Sequence, residues 1–357
     1  MDSQQFIEWL KQESLFDAAE KQIPVFQKVL SDSLKVRSME ELVILGDTGY
    51  PQRRVSPLVL GSYLLAAKRM GLRYKFFTQE PKERGEEADD ELVDALLNLP
   101  DQSVILWALS GRIGSMDVLG QSFRKFVKKH RHRFASTPSL GFLQTKQYSS
   151  IVQAANVDYM KLREDALRLK ERLDVASEVR VTTERGTDFI VDVRLKKALT
   201  NDGAFSEPGS GGNIPCGEVY LPPRKKGVNG KIVIDGCARM LQKSVLVKEP
   251  ITLTVKEGEI LSIEGGQEAK ELEQSLQWAE QHAKYPWGVR RIGELGIGLN
   301  PYAKLVESTL ISEKMLGTAH IAIGSNYWFG GTIYAIIHLD QVFMKPKISI
   351  DGERLVL

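Results

Sequence analysis

Cysteine and histidine are scarce in this chain of 357 residues, which holds two of the first and five of the second. Cys216 and Cys237 are too few for a disulfide framework and too far apart for a CxxC metal site, so a reduced compartment is expected. No apolar run approaches the roughly 18 residues of a membrane span. The opening MDSQQFIEWLKQESLFDAAE is acidic and amphipathic, without the basic start and apolar core of a signal peptide. Charge of one sign is also lacking: the net value is +2, which gives no field to attract nucleic acid or an acidic membrane. These absences lead to the expectation of a cytoplasmic protein with neither nucleic acid nor membrane as a partner. The remaining composition, 42% hydrophobic and 26% charged, is that of an ordinary globular protein, and the length allows two domains with substantial cores.

The two halves are patterned differently. In the first, Leu42–Leu45 reads as a buried strand, and Ser56-Pro57 offers an N-cap and a first-turn proline to a helix over Leu58–Met70. Tyr74–Phe77 and Val104–Ala108 read as further strands with a helix over Glu87–Leu99 between them, the alternation of βαβ units and a parallel sheet. The basic run Arg124–Arg133 reads as the solvated end of a surface helix rather than a phosphate site. Val157–Asp174 is patterned as a long exposed helix at the junction. Beyond it Thr187–Arg194, Lys231–Asp235, Ile251–Val255 and Ile260–Ile263 alternate with a period near two, and Lys256-Glu257-Gly258-Glu259 would turn the last pair into a hairpin. A helix interrupts, with Ala269, Leu272, Leu276, Ala279 and Ala283 on one face. The expected fold is an α/β N-terminal domain with a parallel sheet over residues 1–156, followed by an α+β, β-rich C-terminal metal-binding catalytic domain over residues 157–357.

Chemistry concentrates late in the chain. Glu294 lies in RIGELGIGLNP, His320 in GTAHIAIG, and His338 and Asp340 in AIIHLD, all within otherwise apolar runs. A buried imidazole or carboxylate needs a compensating partner, and a divalent ion is one. Alternate residues of a strand share a face, so His338 and Asp340 can reach one metal position, although a packed histidine beside an exposed aspartate is the plainer reading of that pair alone. Glu313, in ISEKMLGTAH, reads by itself as solvated. Glu218 stands in GSGGNIPCGEVYLPP, whose glycines do not lead into a helix, so neither a P-loop nor a dinucleotide fingerprint is met. Three Glu, one Asp and two His make a mixed oxygen–nitrogen set suited to Zn, Mn, Co or Fe(II).

RGTDFIVDV, GNIPCGEVYLPP, ELGIGLNP, EKMLGTAHIAIG and the closing HLD, in this order, resemble the thermophilic aminopeptidase family of aminopeptidase T and the staphylococcal aminopeptidase. The resemblance covers roughly residues 175–345. It implies a homodimeric exopeptidase acting on peptides with a free N-terminus through two divalent ions (zinc, cobalt, manganese or magnesium). Glu218, Glu294, Glu313, His320, His338 and Asp340 match the family's metal ligands. Glu218 or Glu294 would serve as general base, Glu294 as a bridging carboxylate, and Tyr327 as a hydrogen-bond donor to the tetrahedral oxyanion, unless Tyr327 simply packs beside Trp328 and Phe329. The chain departs from the pattern in its Glu313–His320 spacing, which is two residues longer than usual, in Cys216 at a position usually held by alanine, and in a compressed His320–His338 segment.

Two alternatives stand beside this. The 2,5-dihydroxypyridine dioxygenases resemble the same scaffold but hold a single Fe(II) by two histidines and one carboxylate, with a histidine in the position matched by Glu294. A non-catalytic binding protein would require a missing ligand, and every ligand position is filled.

Overall fold

The computed structural model describes residues 1–83, 85–116 and 123–357. The chain divides into two compact units, Met1–Tyr159 with Gly203–Cys216, and Met160–Asp202 with Gly217–Leu357.

The first unit is built on a five-stranded parallel sheet in the order Tyr74–Gln79, Leu42–Asp47, Val104–Ala108, Arg133–Thr137, Gly211–Asn213. Every residue of Leu42–Asp47 is buried, Asp47 included, as befits an interior strand of a parallel sheet covered on both faces. The last strand comes from the late segment Gly203–Cys216, whose glycines at 211 and 212 carry no apolar strand signal. The helix expected from Leu58 begins at Val55, with Arg54 at its N-cap. Ser56 does not cap it: the side chain is buried and its hydroxyl donates to the Ala108 carbonyl at 2.8 Å, tying the first turn to the neighbouring strand. The helix expected over Glu87–Leu99 is the shorter Asp90–Leu97, and the basic run straddles the helix Phe123–Lys129 and the strand from Arg133.

His132 precedes that strand with no exposed surface, and neither ring nitrogen has a hydrogen-bond partner among the described residues. Burial, helped by the neighbouring His130 and opposed by Asp101, lowers its pKa to about 4. A base whose folded pKa is depressed binds fewer protons folded than unfolded. Its stability contribution is therefore complete above pH 6.5 and is lost as the pH falls toward 4. Between pH 7 and pH 5 this residue should cost about 2 kcal/mol. Unfolding free energies from urea titrations at the two pH values are expected to differ by that much more for the native chain than for His132→Leu; equal differences would refute it.

The second unit holds two seven-stranded antiparallel sheets. One runs in the order Glu259–Glu264, Ile251–Lys256, Val228–Ile234, Asp188–Asp192, Glu178–Thr182, Lys347–Ile350, Glu353–Arg354. The expected hairpin is present: Lys256 pairs with Glu259, and Glu257 and Gly258 both take positive φ (49° and 73°), the requirement of a two-residue type I′ turn. The other sheet runs Ser244–Leu246, Cys237–Arg239, His338–Met344, Thr318–Gly324, Ile292–Gly298, Glu218–Leu221, Leu199–Asn201. Phe189 of the first sheet meets Phe343 of the second edge to face, ring centroids 6.0 Å apart. The helix Tyr159–Val175 buries Leu162, Leu169 and Leu173 and exposes Met160 and Leu167, so it is amphipathic rather than exposed throughout. The helix Gln267–His282 buries Ala269, Leu272, Leu276 and Ala279. No helix among the described residues is long and apolar enough to cross a membrane.

Candidate metal centre

Strand register assembles the site. Asp340 pairs with Ala322, which pairs on its other side with Glu294; Gly296 pairs with His320, Gly324 with His338, and Gly298 with Glu218. Residues directly opposite, and those two apart along a strand, share a face. One face of four adjacent strands therefore carries Glu218, Glu294, His320, His338 and Asp340, interleaved with Gly296, Gly298, Ala322 and Gly324. The opposite face carries Leu295, Ile297, Ile321, Ile323 and Leu339, all buried. The motifs ELGIG, HIAIG and HLD are thus one pattern: a ligand or a small residue on one side, an aliphatic anchor on the other. Small residues make room. A Cβ built on Gly296 would overlap Cε1 and Nε2 of His320 and lie 3.0 Å from Nδ1.

The cluster is tight. His320 Nε2 lies 3.1 Å from Glu294 Oε1 and 3.6 Å from Glu218 Oε2. His338 Nε2 lies 3.1 Å from Asp340 Oδ1 and 3.5 Å from Glu294 Oε2. Three groups have ligand atoms within 4.8 Å of one another: Glu218, Glu294 and His320; Glu294, His338 and Asp340; Glu313, His320 and Asp340. All six ligand positions read from the sequence are brought together, Glu313 included. Glu313 is not solvated, contrary to the reading of that residue alone: it follows the short helix Thr309–Ser312, is buried, and joins the cluster from outside the sheet.

One partner was not foreseen. Lys314 has no exposed surface, and its ammonium donates to Glu218 Oε1 at 2.6 Å and to Glu313 Oε1. In sequence Glu313-Lys314 has the form of an ordinary solvated pair, and only the apolar residues flanking it hinted otherwise.

Tyr327 is two-thirds exposed, with its ring edge-on to Tyr334 at 6.0 Å. It is its neighbours whose rings face the site: Trp328 lies 4.8 Å and Phe329 6.1 Å from the His338 ring. Trp328 and Tyr334 are about half exposed.

Charge explains the titration behaviour. Burial alone would depress both imidazoles, but the hydrogen bond that His320 donates to Glu294 and the charges of Glu313 and Glu218 raise His320 to about 9. Asp340 and Glu294 overcome burial at His338 and raise it to about 10. Burial pushes Glu313 above the ordinary carboxylate range against the pull of Lys314. Burial would raise Asp340 too, but His338 outweighs it and the net shift is downward.

The donors suit a divalent ion, being carboxylate and imidazole throughout. His338 Nδ1 lies 2.8 Å from the Ser325 carbonyl, so that nitrogen carries the proton and Nε2 faces the carboxylates, the outer hydrogen bond that ligating histidines make. His320 Nδ1 and Glu313 Oε2 are buried with no hydrogen-bond partner among the described residues, which leaves room for an ion or its water to satisfy them. Cys216 is buried in the first unit, close to Gly203.

The family model described as NicX, 2,5-dihydroxypyridine 5,6-dioxygenase, matches residues 150–357, more than half of the chain and all six ligand positions. The chain belongs to the NicX family. The 2,5-dihydroxypyridine 5,6-dioxygenase of Pseudomonas putida KT2440 is 26% identical over 194 residues, 52% of this chain and 54% of that protein. In sequence, then, the match spans about half the length of this curated relative. In fold the likeness is longer. The solved 2,5-dihydroxypyridine dioxygenase from Pseudomonas putida KT2440 superposes with a TM-score of 0.73 at 18% identity, covering 95% of this chain and 96% of that one. AmpT from Thermus thermophilus superposes with a TM-score of 0.63 at 16% identity, covering 94% and 96%. The resemblance to aminopeptidase T therefore holds for the fold, which this NicX-family chain shares with both proteins, while the family model and the curated relative lie on the dioxygenase side.

Proposed function

We propose that this NicX-family chain is a ring-cleaving dioxygenase that holds one ferrous ion through Glu294, His338 and Asp340. The observation that carries the reading is the family match over residues 150–357, which contains the whole cluster. Bound there, ferrous iron would supply the binding and activation of dioxygen. The chain's own residues supply the rest. Trp328, beside the His338 ring and half exposed, offers a flat apolar face to a planar ring. His320 Nε2, held between Glu294 and Glu218, would orient Glu294 toward the ion. A small hydroxylated nitrogen heterocycle such as 2,5-dihydroxypyridine meets these demands: it is flat, and both oxygen atoms would enter across one ring bond.

One observation favours a second reading, the two-metal aminopeptidase. Glu294 directs Oε1 toward His320 and Oε2 toward His338, the disposition of a bridging carboxylate, and it stands where a histidine would complete a two-His set.

A single comparison separates the two. Protein loaded anaerobically with Fe(II) is mixed with air and 2,5-dihydroxypyridine while ring absorbance and oxygen are followed; protein loaded with Zn, Co or Mn is assayed on leucyl anilide. Loss of the ring with one oxygen consumed per ring, and no anilide hydrolysis, is expected. Metal-restored release of the N-terminal residue with an intact ring would establish the peptidase instead.

A further inference from the structure

The two sides of the cluster are not equivalent. On one side Glu294, His338 and Asp340 face one another and none of them forms an ion pair with a lysine or arginine among the described residues, although the charge of Lys314 is felt at Asp340. On the other, Glu218 and Glu313 already share a cation, the Lys314 ammonium, which binds one oxygen of each. Among the described residues Lys314 is the only lysine that is buried, and it has no exposed surface at all. An ammonium survives such burial only when paired, and two carboxylates here provide the pairing.

Each of the two ligand groups left for a second ion contains one of those carboxylates, Glu218 with Glu294 and His320, or Glu313 with His320 and Asp340. A divalent ion seated among them would sit against a fixed positive charge in a water-poor site, where like charges repel strongly. The tether permits little escape, because Lys314 follows Glu313 directly and its backbone carbonyl accepts from Asn300 N at 2.7 Å.

We propose that the Lys314 ammonium occupies the second cation position of the cluster, so that the chain binds one divalent ion rather than two. Glu218 and Glu313 then serve as the counter-charge of a lysine, and Glu294, His338 and Asp340 as the ligands of the metal. This rests on the one-ion reading above and gives it a structural cause. It also accounts for a chain that keeps all six ligand types of a two-metal enzyme within a family of dioxygenases.

The test counts ions. Full-length protein is dialysed anaerobically against excess Co(II) and then Fe(II), and bound metal is measured per chain. The native chain should hold one, and Lys314→Met, which removes the charge and keeps the stem, should hold two, with spin coupling between paired Co(II) ions in the paramagnetic resonance spectrum. Two ions in the native chain overturn the proposal, as does a Lys314→Met chain with native circular dichroism that still holds one. Should Lys314→Met not fold, Glu218→Gln decides: retention of one ion at an affinity within threefold of native is expected, and its loss overturns the proposal. Failure of the ring-cleavage reading appears separately, as absence of oxygen uptake, whatever the count.

Discussion

Glu294→Gln is expected to lower metal affinity by at least about 100-fold and to remove turnover with it. Loss of a partner one shell further out already costs about 10- to 100-fold in comparable sites, and Glu294, like Asp340, belongs to two of the three ligand groups. Glutamine keeps the shape of the side chain, so the fold should stand and the loss be confined to the site. A more telling exchange is Glu294→His. On the one-ion reading it creates a two-His, one-carboxylate set with His338 and Asp340, and the variant should still take up one Fe(II). On the bridging reading it removes the shared carboxylate, and metal uptake should collapse. Isothermal titration with Fe(II) under nitrogen reads both variants.

Gly296→Ala is expected to weaken metal binding about 10- to 100-fold although it removes no ligand. The added methyl would overlap the His320 ring, and His320 has no exposed surface into which to retreat. The ring must turn away from Glu294, and the 3.1 Å contact that orients that carboxylate is lost. Overpacking of this kind also costs about 1–3 kcal/mol of stability. The check is a metal titration beside a thermal melt. Native affinity in a folded Gly296→Ala chain would mean that His320 does not position Glu294.

The site could be read from the sequence because its pattern is local. ELGIG, HIAIG and HLD each place a ligand at one strand position and a small residue or second ligand two further on, and alternation alone sends them to one face. Their convergence could not be read so directly, since it depends on the pairing of strands far apart in the chain. Three strands of the first unit's parallel sheet were legible in their apolar runs; Arg133–Thr137 was not, because the basic run covers its start, and neither was Gly211–Asn213, whose membership rests on backbone pairing. Lys314 and the burial of Glu313 were hidden for a related reason: an Glu-Lys pair after a four-residue helix is ordinarily solvated, and only the three-dimensional position of Glu218 gives the lysine a reason to be inside. Ser56 misled because a hydroxyl before proline suits an N-cap equally well as a buried tie to Ala108. Ligand types alone favoured the two-metal hydrolase, because Glu294 stands where the dioxygenases carry a histidine; the ring-cleavage reading rests on the family match and on the aromatic ring beside His338.

The most direct test is the anomalous scattering of crystals grown from Fe(II)-loaded protein and measured at the iron edge. One peak per chain is expected, within bonding distance of Glu294, His338 and Asp340, with the Lys314 ammonium still between Glu218 and Glu313. Two peaks flanking Glu294, with Lys314 turned out of the cluster, would contradict the one-ion dioxygenase and restore the two-metal hydrolase.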